Sequence, residues 1–261
     1  MKGSLGLSGV MSLGLTVILL LLASGCSSSN DDTGRVLVFA ATSLTDVLGE
    51  VEKTFEAREQ IDVTVSYGAS QTLAQQIVSG APADMFFSAG SFPMRFLEDR
   101  DLVETPVSEI VTNKLVVVVG PSHEFSFESL RDLDTLRVTR ISIADPNLAP
   151  AGRYALESLT RLGLWEKIKS KLVLGSNVRT AMAYLESGNA DVVFVYATDA
   201  MANPHLRVLD VVPPRSHSQI TYPLAIIKRS VNSQAATVFL DFVKGDEATE
   251  IFRKHGFVPE E

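Results

Sequence analysis

Short apolar runs that are typical of β-strands alternate with helix-like runs along most of this chain. The run Leu115 to Val119 is apolar on both faces, as a strand covered on both sides of its sheet would be. After Ser43, by contrast, apolar residues recur at helical spacing as far as Phe55. Such alternation predicts an α/β protein with mostly parallel sheets flanked by helices. At 261 residues, 46% of them hydrophobic, the chain can build one large lobe or two medium ones.

A weak internal repeat predicts two lobes. Residues 77–87 and 185–194 each contain a helix end, a Ser-Gly pair, an Ala-Asp pair and an apolar strand. The C-terminal part has no partner in this repeat, so we expect it to return to the first lobe. Residues 34–112 plus 221–261 would then form one lobe and residues 113–220 the other. The two chain crossings between them would act as a hinge of two strands.

The repeat and the C-terminal part each give one further prediction. Asp84 and Asp191, the acidic residues of the repeat, are interpreted as caps of turns at strand entrances rather than as catalytic carboxylates. Near the C terminus, Tyr222 to Lys228 is predicted to be a strand and Val238 to Phe252 a single helix.

Two strand-to-helix junctions share a residue pattern that favours anion binding. The strands Val36 to Ala41 and Ile61 to Tyr67 each run into small residues and then a serine, Ser43 or Ser70, with no cation nearby. A helix start presents unpaired backbone N–H groups and roughly half a positive charge, and a serine hydroxyl can donate as well. The pattern predicts that both helix starts face one small anion. The alternative is that the two serines only cap their helices.

The N-terminal segment resembles a bacterial lipoprotein signal. Lys2 precedes an apolar stretch, Val10 to Leu22, that is too short for a comfortable membrane span, and Cys26 follows after small residues. We expect residues 1–25 to be removed, Cys26 to be acylated and residues 26–33 to form a polar tether. Cys26 is the one cysteine of the sequence and cannot form an internal disulfide. An ordinary secretory signal is the alternative.

The charge balance excludes nucleic acid as a partner. The sequence has 23 basic and 31 acidic residues, and loss of Lys2 with the signal leaves 22 against 31, a net charge of −9. Nucleic-acid phosphates need clustered lysine and arginine. If this acidic protein binds an anion, the attraction must be local, from helix dipoles aimed into a poorly solvated cleft, because its long-range field is repulsive.

Five motifs, in order along the whole mature chain, closely resemble the periplasmic molybdate-binding proteins of ABC importers. The motifs are Phe39-Ala40-Ala41-Thr42-Ser43-Leu44, Gly80-Ala81-Pro82-Ala83-Asp84, Asp145-Pro146 leading to Pro150-Ala151-Gly152, Val195-Tyr196, and Ile251-Phe252 leading to Gly256-Phe257. The resemblance implies a two-lobed periplasmic-binding-protein fold of type II that closes on a tetrahedral oxyanion. It also implies delivery of molybdate, and of tungstate, to an ABC permease, with no catalysis and no cofactor.

The resemblance also implies a set of ligand-binding residues. It assigns the hydroxyls and amides of Ser43 and Ser70 to one wall of the cleft. The opposite wall would supply the backbone N–H groups of Ala151 and Val178 and the hydroxyl of Tyr196. Arg153 and Arg179 directly follow two of these positions, and we expect them to face solvent or the other lobe rather than the ligand. The expected protein is a monomer in the periplasm or on the outer face of the cell membrane, held there by lipid on Cys26.

The chemistry of these residues agrees with a fully deprotonated anion. Molybdate and tungstate are dianions near neutral pH, so their site needs hydrogen-bond donors and no acceptor, whereas a phosphate site must accept a proton. The five residues are Ser, Ala, Val and Tyr, all able to donate through an amide or a hydroxyl. A receptor for sulfate, ferric iron or an organic acid is the alternative. Iron receptors usually gather two tyrosines with His or carboxylates, and Tyr196 has no second tyrosine in its segment.

Enzymatic and adaptor functions are less well supported. His123, His205, His217 and His255 form no metal-spaced pair. Ser43 lies in no Gly-x-Ser-x-Gly motif, so neither a metal centre nor a serine nucleophile is predicted. A membrane-tethered adaptor that binds protein would instead need an apolar groove without convergent amides.

Overall fold

The chain folds around two β-sheets whose faces are covered by helices. The computed structural model describes Gly3 and residues 34–121, 127–135 and 137–260. Cys26, the tether and, apart from Gly3, the predicted signal lie outside the described residues. Within the described ranges, no helix has the length and apolar character needed to cross a membrane.

The elements alternate along the chain as the apolar pattern predicts. The strands are β1 (Arg35–Ala41), β2 (Asp62–Gly68), β3 (Met85–Phe87), β4 (Ser108–Thr112), β5 (Leu115–Val119), β6 (Ile141–Ala144), β7 (Leu172–Gly175), β8 (Val192–Tyr196), β9 (Arg207–Val211), β10 (Thr221–Ile226) and β11 (Val258–Pro259). The helices are α1 (Thr45–Glu59), α2 (Ser70–Val78), α3 (Ser91–Glu98), α4 (Pro150–Arg161), α5 (Trp165–Ile168), α6 (Val178–Glu186), α7 (Ala197–Ala202), α8 (Ser233–Lys244) and α9 (Asp246–Lys254).

Sheet membership divides the chain at two crossings. The first sheet has the order β11-β4-β10-β3-β1-β2, and the second has the order β7-β6-β8-β5-β9. The chain passes from the first sheet to the second between β4 and β5, and it returns between β9 and β10. Because β10 runs antiparallel to β3, its first residues lie at the edge of the sheet where β1 and β3 end.

The α/β class with two sheets is confirmed, but the sheets are mixed rather than mostly parallel. In the first sheet β1 pairs in parallel with β2 and β3, whereas the three pairs that involve β10 or β11 are antiparallel. In the second sheet β6 pairs in parallel with β7 and β8, and β5 pairs antiparallel with β8 and β9. The antiparallel pairs arise at the crossings and at the C terminus, where strands are not connected by a right-handed β-α-β crossover.

The prediction of a single helix from Val238 to Phe252 is wrong, because the segment forms parts of two helices. The backbone is extended at Gly245, with φ −79° and ψ 166°, so α8 ends at Lys244 and α9 begins at Asp246. Asp246 and Glu247 lie in the first turn of α9, where acidic side chains favour a helix start. The apolar spacing is nearly continuous through this corner, which is why periodicity alone missed it.

The two acidic residues of the internal repeat stabilise strand entrances, in agreement with their interpretation as caps. Asp84 accepts hydrogen bonds from the Leu37 amide at 2.8 Å and from the Ser230 hydroxyl at 2.6 Å, just before β3. Asp191 accepts from the Thr139 and Arg140 amides at 2.7 and 2.9 Å, just before β8. Both carboxylates therefore tie a strand entrance to the neighbouring chain.

One glycine sets how closely α4 approaches the second sheet. A Cβ atom at Gly152 would lie 1.9 Å from the carbonyl oxygen of Ala144, the last residue of β6. Only glycine therefore allows the first turn of α4 to lie directly on the end of this strand.

Gly152→Ala is expected to lower the free energy of unfolding by more than about 2 kcal/mol, because a backbone clash cannot be relieved by a side-chain rotation. Gly49→Ala is the matched control, since Gly49 is also helical and a Cβ there meets nothing within 4 Å. The control is expected to raise stability by up to about 1 kcal/mol, through helix propensity. Chemical denaturation measures both, and equal stability of Gly152→Ala and the wild type would contradict the close approach.

Candidate functional site

The two serine junctions lie side by side because β1 and β2 are neighbouring parallel strands. In their register Ala41, the last residue of β1, pairs with Gly68, the last residue of β2. The carboxyl ends of parallel strands meet at one edge of a sheet, so the segments that follow leave from adjacent points. A 3₁₀ turn, Thr42–Leu44, follows β1, and α2 begins at Ser70.

The second sheet repeats this arrangement. Ala144 at the end of β6 pairs with Gly175 at the end of β7. The helix α4 begins soon after the first of these strands, and α6 begins soon after the second. Tyr196 ends β8, on the other side of β6. Three strand ends of the second sheet thus supply the predicted second wall.

All five residues predicted for ligand binding line one small cavity. The cavity is narrow, with a volume of about 10 Å³, roughly the space of one water molecule. Its lining residues among those described are Ala41, Thr42, Ser43, Gly68, Ala69, Ser70, Ala89, Ala149, Pro150, Ala151, Asn177, Val178 and Tyr196, and none of these carries a charged side chain. The cavity is therefore lined by small residues, backbone amides and hydroxyls from both sheets.

The helix starts at this cavity leave backbone donors without intrahelical partners. In α4 the first helical bond runs from the Arg153 amide to the Ala149 carbonyl at 3.3 Å, and Pro150 has no N–H, so the Ala151 amide precedes the ladder. In α6 the side chain of Asn177 accepts from the Thr180 amide at 2.9 Å. That cap satisfies the amide of Thr180, the third residue of α6. The Val178 amide at the helix start keeps no intrahelical partner.

Neither serine caps its helix, so the capping alternative is wrong. The helix starts at Ser43 and Ser70 have no side-chain cap hydrogen bond. The Ser43 hydroxyl lies 3.1 Å from the hydroxyl of Tyr222, and the Ser70 hydroxyl accepts from the Ala89 amide at 3.1 Å. Both hydroxyls are buried, with residue exposures of 4% and 0%. Their hydrogen bonds run to the protein around the cavity and not to the backbone of the adjacent helix start.

Tyr196 is fully buried, and its proton already has an acceptor. Its hydroxyl donates to the carbonyl oxygen of Ala89 at 3.2 Å, a bond from the second sheet to the segment after β3. The ring of Tyr222 lies edge-on to it, with centroids 5.8 Å apart, so Tyr196 has a tyrosine neighbour in space although none in its segment. Burial raises the pKa of both tyrosines well above the usual value, so both hydroxyls remain protonated.

The two arginines that follow predicted ligand positions lie outside the cavity lining. The guanidinium of Arg153 lies 4.4 Å from the ring centre of Phe92 in α3. Arg179 pairs with Asp46 of α1 and lies 3.0 Å from a carboxylate oxygen of Asp199 in α7, the latter pair outside hydrogen-bond geometry. Both arginines therefore connect elements of the second sheet to elements of the first and do not line the cavity.

Sequence reasoning missed three polar groups at or beside this site: the hydroxyl of Tyr222, the side-chain amide of Asn113 and the backbone of Ala89. Asn113 lies in the crossing between β4 and β5, where the pattern of the chain carries no helix or strand signal, and Tyr222 lies near the start of β10, where the strand was predicted but not its contact with Ser43. Ala89 acts through its backbone. The tyrosine near the start of the predicted returning strand was the available signal, and it did not identify a partner.

A family model for bacterial extracellular solute-binding proteins matches residues 36–258, which is nearly all of the described fold. The chain belongs to this family of solute-binding proteins. Membership gives this solute-binding protein an extracytoplasmic transport role, in agreement with the expectation that it is not an enzyme.

Individual proteins that are similar to this solute-binding protein include molybdate-binding proteins. It is 38% identical over 250 residues, 92% of this chain and 94% of the other, to YvgL of Bacillus subtilis (strain 168), a lipoprotein provisionally named as the substrate-binding component of an ABC transporter. It is 35% identical over 231 residues, 87% of this chain and 90% of the other, to the molybdate-binding protein ModA of Escherichia coli (strain K12). Its fold matches the periplasmic molybdate-binding protein of Azotobacter vinelandii with a TM-score of 0.79 at 24% identity, over 87% of this chain and 100% of the other.

Asp199 gives this solute-binding protein a pH-dependent stability. Burial raises its pKa from 3.8 to about 6, against the opposing effect of Arg179. The folded protein therefore binds the proton more tightly than the unfolded chain, and ionisation of Asp199 lowers stability as pH rises through 6. Between about pH 4.5 and pH 7 the wild type is expected to lose about 2 kcal/mol more unfolding free energy than Asp199→Asn.

Urea denaturation across this pH range measures the difference. Asp241→Asn, at an exposed carboxylate on α8, is the control and is expected to follow the wild-type profile. Parallel profiles for the wild type and Asp199→Asn would contradict the prediction.

Proposed function

We propose that this chain is an extracytoplasmic receptor that captures molybdate, and tungstate with it, between its two sheets and delivers the anion to an ABC permease. The observation that carries the proposal is the uncharged cavity at which Ser43, Ser70, Ala151, Val178 and Tyr196 meet. The similarity to ModA of Escherichia coli supports the choice of anion. Tungstate is included because it has the same charge and shape.

Neutral donors are strong enough to hold such a dianion. A hydrogen bond to a charged group contributes roughly 1.5–3 kcal/mol, and micromolar affinity requires only about 8 kcal/mol. Five or six donors at the cavity therefore suffice without a lysine or an arginine. Their strength depends on exclusion of water, which lowers the local dielectric constant and makes each donor more effective.

We propose that residues 34–112 plus 221–261 and residues 113–220 are lobes that close on the anion about the two crossings. Three contacts between the sheets support a closed arrangement: Tyr196 to Ala89, Arg179 to Asp46, and Arg153 to Phe92. In the liganded protein the Tyr196 hydroxyl, as the fifth donor, would exchange its bond to the Ala89 carbonyl for one to the anion. Closure would give the permease a surface that the empty receptor lacks.

We also propose that Cys26 carries the lipid that tethers the receptor, as a monomer, to the outer face of a membrane or in the periplasm. The motif before Cys26 and the similarity to the lipoprotein YvgL support this. The polar tether would leave the fold free to reach its permease.

The other ligands fit the cavity less well. A phosphate carries a proton near neutral pH and needs an acceptor, whereas the lining side chains include no carboxylate among the described residues. Ferric iron needs phenolate ligands, and burial raises the pKa of both Tyr196 and Tyr222. Sulfate has the right charge and is smaller, so only the size of the closed cavity can discriminate against it.

Ser43→Ala and Ser70→Ala are each expected to weaken molybdate binding by about tenfold or more, because each removes one charge-assisted donor. Ser79→Ala is the control, since Ser79 is exposed at the opposite end of α2 from Ser70. Isothermal titration with molybdate, tungstate, sulfate and phosphate measures the affinities. Wild-type affinity of both variants would refute the site, and sulfate bound as tightly as molybdate would refute the choice of anion.

Salt is expected to have little effect on the affinity for molybdate. Raising potassium chloride from about 20 mM to about 500 mM shortens the screening length from roughly 20 Å to roughly 4 Å. The mature chain is acidic and repels the anion at long range, so screening should change the dissociation constant by less than about twofold or lower it. A steep loss of affinity with salt would indicate that lysine or arginine holds the anion.

A further inference from the structure

Asn113, in the crossing between β4 and β5, has a fixed amide orientation. The backbone N–H of Lys114 donates to its Oδ1 atom at 2.8 Å, so this atom is the acceptor. The Nδ2 atom therefore faces Thr198 Oγ1 at 2.9 Å and the Tyr222 hydroxyl at 3.4 Å. An NH₂ group can only donate, so the oxygen of Tyr222 is the acceptor in its contact with Asn113.

The hydroxyl of Tyr222 lies between Asn113 and Ser43. Its side chain is 0% exposed, and burial keeps the hydroxyl protonated. The hydroxyl has one proton, and Ser43 Oγ lies 3.1 Å away. Either hydroxyl can donate in this contact. Because Asn113 donates to the Tyr222 oxygen, donation by Tyr222 to Ser43 gives the phenol one acceptor role and one donor role, and it would leave the Ser43 proton for the cavity.

Ser70 is oriented in the same sense by a different group. The Ala89 amide donates to its hydroxyl oxygen at 3.1 Å, and a backbone N–H cannot reverse its role. With Tyr222 as the donor to Ser43, both serines at the cavity receive a hydrogen bond from the protein. The difference is that the donor to Ser43 is itself a hydroxyl, whose direction depends on Asn113.

We propose that Tyr222 and Asn113 are positioning residues that hold the Ser43 hydroxyl as a donor and thereby favour fully deprotonated oxyanions over protonated ones. This inference rests on the proposed function. A fully deprotonated dianion such as molybdate can accept the Ser43 proton through any of its oxygens. An anion that carries a proton gains nothing from this orientation, because its own O–H needs an acceptor.

Tyr222→Phe removes the proton that orients Ser43 and keeps the ring. We expect molybdate affinity to fall about five- to tenfold, and the preference for molybdate over phosphate at pH 7 to fall with it. Asn113→Ala is expected to weaken molybdate binding about threefold, because Tyr222 then loses its donor. Tyr184→Phe, on α6, is the control and should leave both values unchanged.

A double-mutant cycle separates positioning through Ser43 from a general structural effect. In a Ser43→Ala background, Tyr222→Phe and Asn113→Ala are expected to have no further effect on molybdate affinity. Thermal melts identify any variant that fails to fold, in which case the other variant carries the test.

The outcomes distinguish this inference from the function on which it rests. A wild type that binds neither molybdate nor tungstate would overturn both. A wild type that binds molybdate while Tyr222→Phe and Asn113→Ala bind it equally well would overturn only the positioning role. Additive losses in the Ser43→Ala background, or an unchanged preference over phosphate, would overturn it as well.

Discussion

The backbone N–H groups at helix starts are the constraint on which the site depends. An α-helix leaves its first amides without partners, and a buried amide without a partner is costly. Here the starts of α2, α4 and α6, together with the turn at Ser43, converge on one cavity because they follow neighbouring strand ends. The fold thus gathers polar groups that the core could not accommodate elsewhere. An anion in the proposed position would satisfy them together.

The contacts between the two sheets are of several chemical kinds. Tyr196 donates to a carbonyl, Arg179 makes an ion pair with Asp46, and Arg153 lies over an aromatic ring. The arginines stand beside the cavity rather than in it, so their charges act on the position of the helices. This separation lets the contacts that join the sheets differ from those proposed to bind the ligand.

Much of the site could be predicted because its residues follow strands. Small residues and a serine after an apolar run identified Ser43 and Ser70, and parallel pairing brought their junctions together in the register Ala41 to Gly68. The resemblance to molybdate-binding proteins supplied Ala151, Val178 and Tyr196, which line the same cavity. Their role in binding stays a prediction.

Other features could not be predicted from local patterns. Tyr222 reaches Ser43 only through the antiparallel return of β10, and Asn113 reaches Tyr222 only through a crossing. These contacts join residues far apart in sequence, and no periodicity encodes them. The break at Gly245 was missed for the opposite reason, since the apolar spacing continues across the corner.

Ala89 illustrates what a site made from the main chain implies for mutational surveys. Its amide donates to Ser70 and its carbonyl accepts from Tyr196, so one residue with only a methyl side chain touches both walls. Alanine scanning is blind at this position, because the native residue is already alanine. Relatives could change the side chain here, within the limits of size, and keep both bonds. Sequence variation at such a position therefore says little about whether the wall it builds has been retained.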